Sequence, residues 1–331
     1  MKVKVSTIRQ KLTELLEKSG YDSADVAFVV NMFLGGELRG HTTHGLASFP
    51  SFLKRHTNVS LPKIEIIQST AACFYADAKG ASGNIIGRTL ADEAVKRAKQ
   101  QIVGFSLVKN MASWLRPGAV AQYIADQGLI SYVVNSGGGV AIAPPGGYEP
   151  VAGTNPIAYG VPTNEGSFVV DMATSKRAWG VVRQANKYDT SLPDDTFYDQ
   201  SGRITTDPSQ AEAVLSFGGY KGFSLALLAE IMCGALTSMP MMVQSDAGDK
   251  YGQKMPARGA YILAIDPSQT VGLGAFKNQV SDYLHKIKNT KPLPGQTIRV
   301  PGRASMDKST AAEHNDEIDL PDRLWQEIIA L

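Results

Sequence analysis

From about Leu61 onward, short runs rich in β-branched and aromatic residues alternate with stretches of helical periodicity, which commits most of the chain to α/β organisation. The runs CFYADA, VGFSLV, LISYVV, AYGVP, SFVVDMA, YILAIDP and IRVPG read as strands. Helical spacing falls near Asn84–Gln100, Ala119–Gln127, Gly222–Leu236 and Ala275–Lys288. The segment Tyr188–Ser209, with LPDD, DQSGR and TTDP, is all turn chemistry, and AGDKYGQK reads as a further loop. A doubly wound dinucleotide fold would carry GxGxxG directly after its first strand, with an acidic residue about twenty positions on. That element is absent. The run Ser136-Gly137-Gly138-Gly139 follows LISYVVN, but the third glycine is missing from the required spacing. A tight structural turn and a ligand-facing loop suit it equally.

Ahead of the alternating region the pattern is helical. Ser6 is placed to cap a helix with Ile8, Leu12, Leu15 and Leu16 on its apolar face and Gly20 at its end. Asp22 or Ser23 caps a second, whose apolar face of Val26, Val29, Val30, Phe33 and Leu34 runs toward Arg39. A third carries Leu46, Phe49, Phe52 and Leu53 and is started or interrupted by Pro50. The chain closes on a helix with Asp319 and Pro321 at its start and Leu324, Trp325, Ile328 and Ile329 on its apolar face. The expected organisation is a helical subdomain over 1–60, an α/β domain over 61–310, and a terminal segment, 311–331, packing back on the helices.

With 33 basic and 31 acidic residues the formal charge is +2, which argues against a general polyanion binder, so no nucleic-acid partner is expected. The start, MKVKVSTIRQKLTELLEKSG, lacks a signal-peptide core and no later apolar run reaches membrane-spanning length, so a cytoplasmic protein without membrane association is expected. Cys73 and Cys233 lie far apart in apolar contexts and read as buried free thiols.

Chemistry concentrates in Leu34–His56, which holds three of the five histidines. His41 and His44 lack the Glu and the spacing of HExxH, and no third ligand is evident, so no metal site is assigned. A single titrating imidazole fits better. His44 sits in RGHTTHGL at a helix–loop junction, where Gly45 allows close approach of a ligand, and such a histidine suits proton transfer near neutral pH.

This stretch resembles the non-Rossmann malate/L-lactate dehydrogenase family, whose signature is a basic residue, glycine, two variable residues, Ser-His-Gly, an apolar residue, one more and arginine. Here it reads Arg39-Gly40-His41-Thr42-Thr43-His44-Gly45-Leu46-Ala47-Ser48. Further matches are Gly153-Thr154-Asn155-Pro156, Asp171-Met172-Ala173-Thr174-Ser175, Thr205-Thr206-Asp207-Pro208, Phe217-Gly218-Gly219-Tyr220-Lys221-Gly222 and Pro301-Gly302, so the resemblance runs over about 5–331. It implies a non-Rossmann α/β fold with the N-terminal helical subdomain, a homodimer, and a small-molecule substrate. It makes His44 the catalytic proton donor, oriented by Thr43, and puts Ser48, Arg116 and Thr154 at the substrate. Asp171, Met172, Ala173, Tyr220, Lys221 and Gly302 would contact the cofactor, as would Ser113, Trp114 and Arg303 at the family's corresponding positions.

On chemistry alone, Lys221 between glycines at the start of an apolar helix suits a phosphate, though a solvated lysine beside a plain helix start fits as well. Asp171 is also placed to cap the turn that follows it. Lys176 and Arg177 are placed to reach an adenosine 2′-phosphate, so of NADP(H) and NAD(H) the reading leans slightly to NADP(H).

Three positions depart from the family. Ser48 replaces the arginine that holds the substrate carboxylate, Ser113 replaces a histidine, and Arg303 replaces a glutamate. A lost Arg–carboxylate contact is worth roughly 1.5–3 kcal/mol, and Arg116, or failing it Arg55, is the replacement expected. The expected activity is NAD(P)H-dependent reduction of a 2-oxo acid or related carbonyl. The alternatives are a cyclic imine reductase, which Val181 in place of an aspartate weakens, and a diverged non-catalytic binding member. A lyase or hydrolase would need an organised nucleophile, and neither GxSxG nor a cysteine near a histidine in sequence is present.

Overall fold

The computed structural model describes residues 1–56, 63–112, 114, 116–137, 139–244 and 258–331. Ser113, Gly138 and the AGDKYGQK segment lie outside the described residues.

The chain enters through β1 (Lys2–Val3) into α1 (Val5–Lys18). Its N-cap is Lys4, not Ser6. Ser6 lies in the first turn, and both its N–H and its hydroxyl donate to the Asp316 carboxylate at 2.7 Å. An acid from the far end of the chain thus satisfies a first-turn donor, and no local cap is needed. Gly20, at φ +87°, follows the C-cap as expected.

α2 (Ser23–Leu38) starts at Asp22, which accepts from the Asp25 N–H at 2.8 Å. It is apolar nearly all round, so neighbours cover it on several sides. Two short 3₁₀ turns, Thr42–His44 and Leu46–Ser48, lead into α3 (Phe49–His56), with Pro50 in its first turn.

Next come β2 (Glu65–Ser69), β3 (Cys73–Asp77), α4 (Gly83–Gln101), β4 (Val103–Met111), α5 (Pro117–Ala125), β5 (Ile130–Asn135), β6 (Ile157–Thr163) and β7 (Gly166–Met172). Then follow α6 (Gly180–Tyr188), β8 (Phe197–Tyr198), β9 (Ile204–Thr205), β10 (Ala213–Val214), α7 (Tyr220–Cys233) and β11 (Arg258–Ile265). The chain ends through α8 (Leu273–Lys288), α9 (Arg303–Asn315), β12 (Ile318–Asp319) and α10 (Asp322–Ile329).

Seven strands form one sheet in the order β2-β3-β4-β11-β5-β6-β7. Only β3 and β4 run parallel, joined through α4, and every other neighbouring pair is antiparallel. A doubly wound crevice needs adjacent parallel strands whose connections leave in opposite directions, so the missing GxGxxG has a topological counterpart. One continuous core joins α1, α2, α3 and α10 to α4, α5 and a face of the sheet, with Phe33, Leu90, Val108, Val120 and Ile262 almost fully buried. α10 rests on α3 through this core.

The structure corrects three expectations and adds one strand. IRVPG forms no strand; it runs as a loop into α9. Tyr188–Ser209 is not all turn, because β8 and β9 pair within it and β10 extends them to a small sheet. The exposed edge strand β2 was not anticipated. Cys73 is only half-buried, while Cys233 is buried.

Candidate active site

The His44 turn is locked onto the end of α2 by two glycines. A Cβ on Gly36 would stand 2.8 Å from the His44 carbonyl oxygen, and one on Gly45 would stand 2.6 Å from Glu37 Oε2. Only glycine at both places lets the segments lie this close. The buried Glu37 carboxylate accepts the Leu46 N–H at 3.0 Å, and burial pushes its pKa up.

Within the turn, Thr43 Oγ1 lies 2.9 Å from His44 Nδ1. Ser48 does not face an open anion site with its hydroxyl, which donates to the Thr43 carbonyl at 2.9 Å and closes the turn from below.

Arg116, immediately before α5, is 6% exposed. Among the described residues no carboxylate lies within ion-pair distance of it, and its Nε has no acceptor. Burial pulls its pKa down to about 10, against the attraction of Asp171 and with the repulsion of Arg39. Asp171 Oδ2 accepts the Gly118 N–H at 3.0 Å at the start of α5, so this carboxylate is turned inward to the helix and Arg116.

These charges act on the imidazoles. Burial, then Arg116, then Arg183 of α6 lower the His44 pKa. His41 is lowered to about 4 by burial and then by Arg116, His44, Arg39 and Lys308. Arg39 is itself buried and donates to Gln122 Oε1 at 2.8 Å. Arg39 opens the family signature but received no role from the sequence, and Arg183 and Lys308 carried no local signal. Lys308 belongs to α9, a helix none of whose residues is buried.

A second group of expected residues lies at the starts of α7 and α9. Gly218 and Gly219 both have positive φ, Gly219 is the N-cap, and no side chain caps the helix. A Cβ on Gly219 would meet no atom within 4 Å, and Tyr220 and Lys221 are exposed beside it. Free N–H groups, open space and a lysine together fit a phosphate of a dinucleotide. Gly302, at φ +82°, caps α9 where a Cβ would run into the Val169 carbonyl of β7. Arg303 Nε donates to Asp307 at 2.9 Å, tying its charge along the helix.

Thr154 is tied to the segment that follows β7, its carbonyl accepting both the N–H and the hydroxyl of Thr174 at 2.9 Å. Met172 is exposed and Ala173 half-buried next to it. Lys176 is occupied by Asp195 at 2.7 Å, which leaves Arg177 as the exposed member of that basic pair. Trp114 departs from expectation. It is 1% exposed, packed against Gly83 and Gly87 of α4, and has no surface to offer a cofactor.

The fold is an α/β one in which a buried arginine, Arg116, acts electrostatically on His44. The chain belongs to the malate/L-lactate dehydrogenase family, whose model matches residues 3–329. It is 29% identical over 324 residues to the L-sulfolactate dehydrogenase of Methanocaldococcus jannaschii, covering 96% of this chain and 93% of that protein. The solved structure of sulfolactate dehydrogenase from the same organism superposes with a TM-score of 0.85 at 28% identity, covering 99% of this chain and 95% of that one. A Δ1-pyrroline-2-carboxylate/Δ1-piperideine-2-carboxylate reductase of Pseudomonas aeruginosa is 25% identical over 338 residues, covering 100% of this chain and 99% of its own length. The chain is thus a nicotinamide-dependent dehydrogenase or reductase by family.

Proposed function

We propose that the chain reduces the carbonyl of a small 2-oxo acid with NAD(P)H, with His44 as the proton donor. The observation that carries the reading is the buried Arg116 guanidinium, which among the described residues has no carboxylate within ion-pair distance and is among the charges that act on His44. A buried charge without a partner is costly, and a substrate carboxylate that pairs with it recovers that cost as binding. Arg116 then does the work of the arginine replaced at Ser48.

Bound at the α7 and α9 starts through Lys221, Tyr220 and Gly302, the nicotinamide cofactor would supply the hydride. The residues of the chain do the rest. Protonated His44 gives its proton to the carbonyl oxygen, and neutral His44 takes one back in the oxidative direction. The Thr43 hydroxyl accepts from Nδ1–H whether or not Nε2 carries its proton, and so holds the ring in either state. Arg177 supports a preference for NADP(H).

Intrinsic fluorescence during titration with NADPH and with NADH tests the cofactor reading. Trp179, near the DMAT element, is the reporter, since Trp114 is enclosed in the core. Saturable quenching is expected, tighter for NADPH, and no quenching by either in a folded sample would overturn the reading. Turnover on a panel of 2-oxo acids and cyclic imines then separates the carbonyl activity from the imine activity named for the Pseudomonas relative.

The family resemblance also supports a homodimer. Leu227, Leu228 and Ile231 stand exposed in a row on α7, where a second copy would cover them. Leu228→Asp is expected to halve the solution mass, and an unchanged mass would remove this face from the interface. We place the enzyme in the cytoplasm. Among the described residues no helix is long and apolar enough to cross a membrane.

A further inference from the structure

We propose that the cavity between α2, α4, α5 and α9 is a second ligand site, taking a small carboxylate with a compact apolar body. Its volume is about 390 Å³, within the range of small-molecule pockets. Neither imidazole lines it, nor does Arg116, nor any residue assigned to the cofactor.

The apolar wall is Phe28, Met32, Leu38 and Ala119. Two of the three arginines that reach the cavity are neutralised. Arg9 pairs with Glu313 at 2.6 Å and Arg88 with Asp25 at 2.7 Å. Arg39 is left. It is 9% exposed, and among the described residues its one side-chain hydrogen bond goes to the neutral Gln122 amide and no carboxylate comes within ion-pair distance. Asp126, also in the lining, acts on it only from farther off. A desolvated guanidinium facing open volume selects a planar anion, and one unpaired fork selects one carboxylate.

The site is coupled to the active site with a definite sign. Arg39 repels Arg116, so its field adds to the attraction that Arg116 exerts on a substrate anion. A carboxylate seated on Arg39 cancels that contribution. Substrate binding weakens to a limit and does not vanish, because the two anions occupy different places.

Calorimetric titration of the full-length protein with phenylacetate, which has no reducible carbonyl, tests this. One site per chain is expected, retained in His44→Asn and weakened at least tenfold, as loss of a charge-assisted pair implies, in Arg39→Gln. Ala27→Phe replaces an exposed helical alanine on the cavity wall, so it fills the space without disturbing the core, and it is expected to abolish binding. In turnover assays phenylacetate is expected to raise KM to a plateau in the wild type and to have no effect in Ala27→Phe. Absence of binding would overturn the proposal, as would binding that survives Ala27→Phe. Calorimetry needs no turnover, so failure here leaves the reductase reading standing, and failure of that reading leaves this one testable.

Discussion

The Thr43 hydroxyl stands 2.9 Å from Nδ1 of His44, on the side of the ring away from Nε2. A hydroxyl accepts from Nδ1–H in the charged ring and equally in the neutral ring whose Nε2 has lost its proton, so one orientation of the imidazole serves both protonation states. Thr43→Val removes this partner and is expected to lower kcat about fivefold to tenfold, the worth of one such bond, while Thr43→Ser stays near wild type. His44→Asn is expected to lose about 10²–10⁴ in kcat. Steady-state kinetics on all three decides the matter; equal rates in Thr43→Val and wild type would remove the orienting role.

Arg116 is expected to govern substrate affinity. Arg116→Ala should raise KM for a 2-oxo acid by a factor on the order of 10 to 100, equivalent to the loss of a charge-assisted carboxylate contact. A substrate analogue with an amide in place of the carboxylate should bind wild type and variant alike. An unchanged KM would mean that the anion is held elsewhere.

The pH dependence follows from the charges around His44. Burial, Arg116 and Arg183 hold its pKa below the ordinary 6.5, so the free protein at neutral pH carries mostly neutral imidazole. Reduction needs the protonated ring. Its kcat/KM therefore falls as pH rises through a value below 6.5, whereas kcat/KM for oxidation is already at its plateau at pH 7. An anion on Arg116 offsets the first of the two repulsions, so the limb in kcat lies at higher pH than the limb in kcat/KM. In Arg116→Gln the kcat/KM limb should move up toward 6.5, and a profile indifferent to that change would separate His44 from Arg116.

Stability has its own pH dependence through His41. Its folded pKa of about 4 lies below the unfolded 6.5, so the unfolded chain binds the extra proton between those values. The stabilisation is complete above 6.5 and is lost as pH falls toward 4. Discounted for partial exposure of the ring, the loss is about 1–2 kcal/mol. His41→Gln should flatten urea midpoints measured across that interval.

What the sequence made legible was the part written in apolar spacing and in motif. Val26 to Leu34 announced α2, and CFYADA and VGFSLV announced β3 and β4 as strands, though not their parallel pairing, because burial on a regular element leaves a period. α9 left none: RASMDKSTAAEHN buries no residue, so neither the helix nor the position of Lys308 was visible. Ser6 looked like a cap because its true partner, Asp316, is 310 residues away. The motif located His44 and Lys221 but said nothing of where a side chain points. Trp114 was placed near the cofactor from its neighbours in sequence, yet it fills the gap left by Gly83 and Gly87 in α4. That Arg116 and Arg183 act on His44, and Arg39 on Arg116, is likewise a tertiary fact, assembled from the end of α2, the start of α5 and α6.

The interlock between α2 and the catalytic turn gives a test that separates positioning from stability. In Gly36→Ala the new Cβ would face the His44 carbonyl oxygen at 2.8 Å and the Gly45 Cα at 3.2 Å, backbone atoms that no rotamer change relieves. The turn must move. Within the helix, alanine is favoured over glycine by about 1 kcal/mol, which offsets much of an overpacking cost of roughly 1–3 kcal/mol. The melting temperature should therefore fall by only a few degrees. The imidazole, carried by the turn, is displaced from its partner groups, and a shift approaching 1 Å at a catalytic group costs about 10²-fold. Gly35→Ala is the control, because its Cβ would meet Arg116 at an ordinary 3.7 Å. It should melt at or above the wild-type temperature with kcat/KM intact. If Gly36→Ala also kept its kcat/KM while melting normally, the close approach of α2 would not be what positions His44.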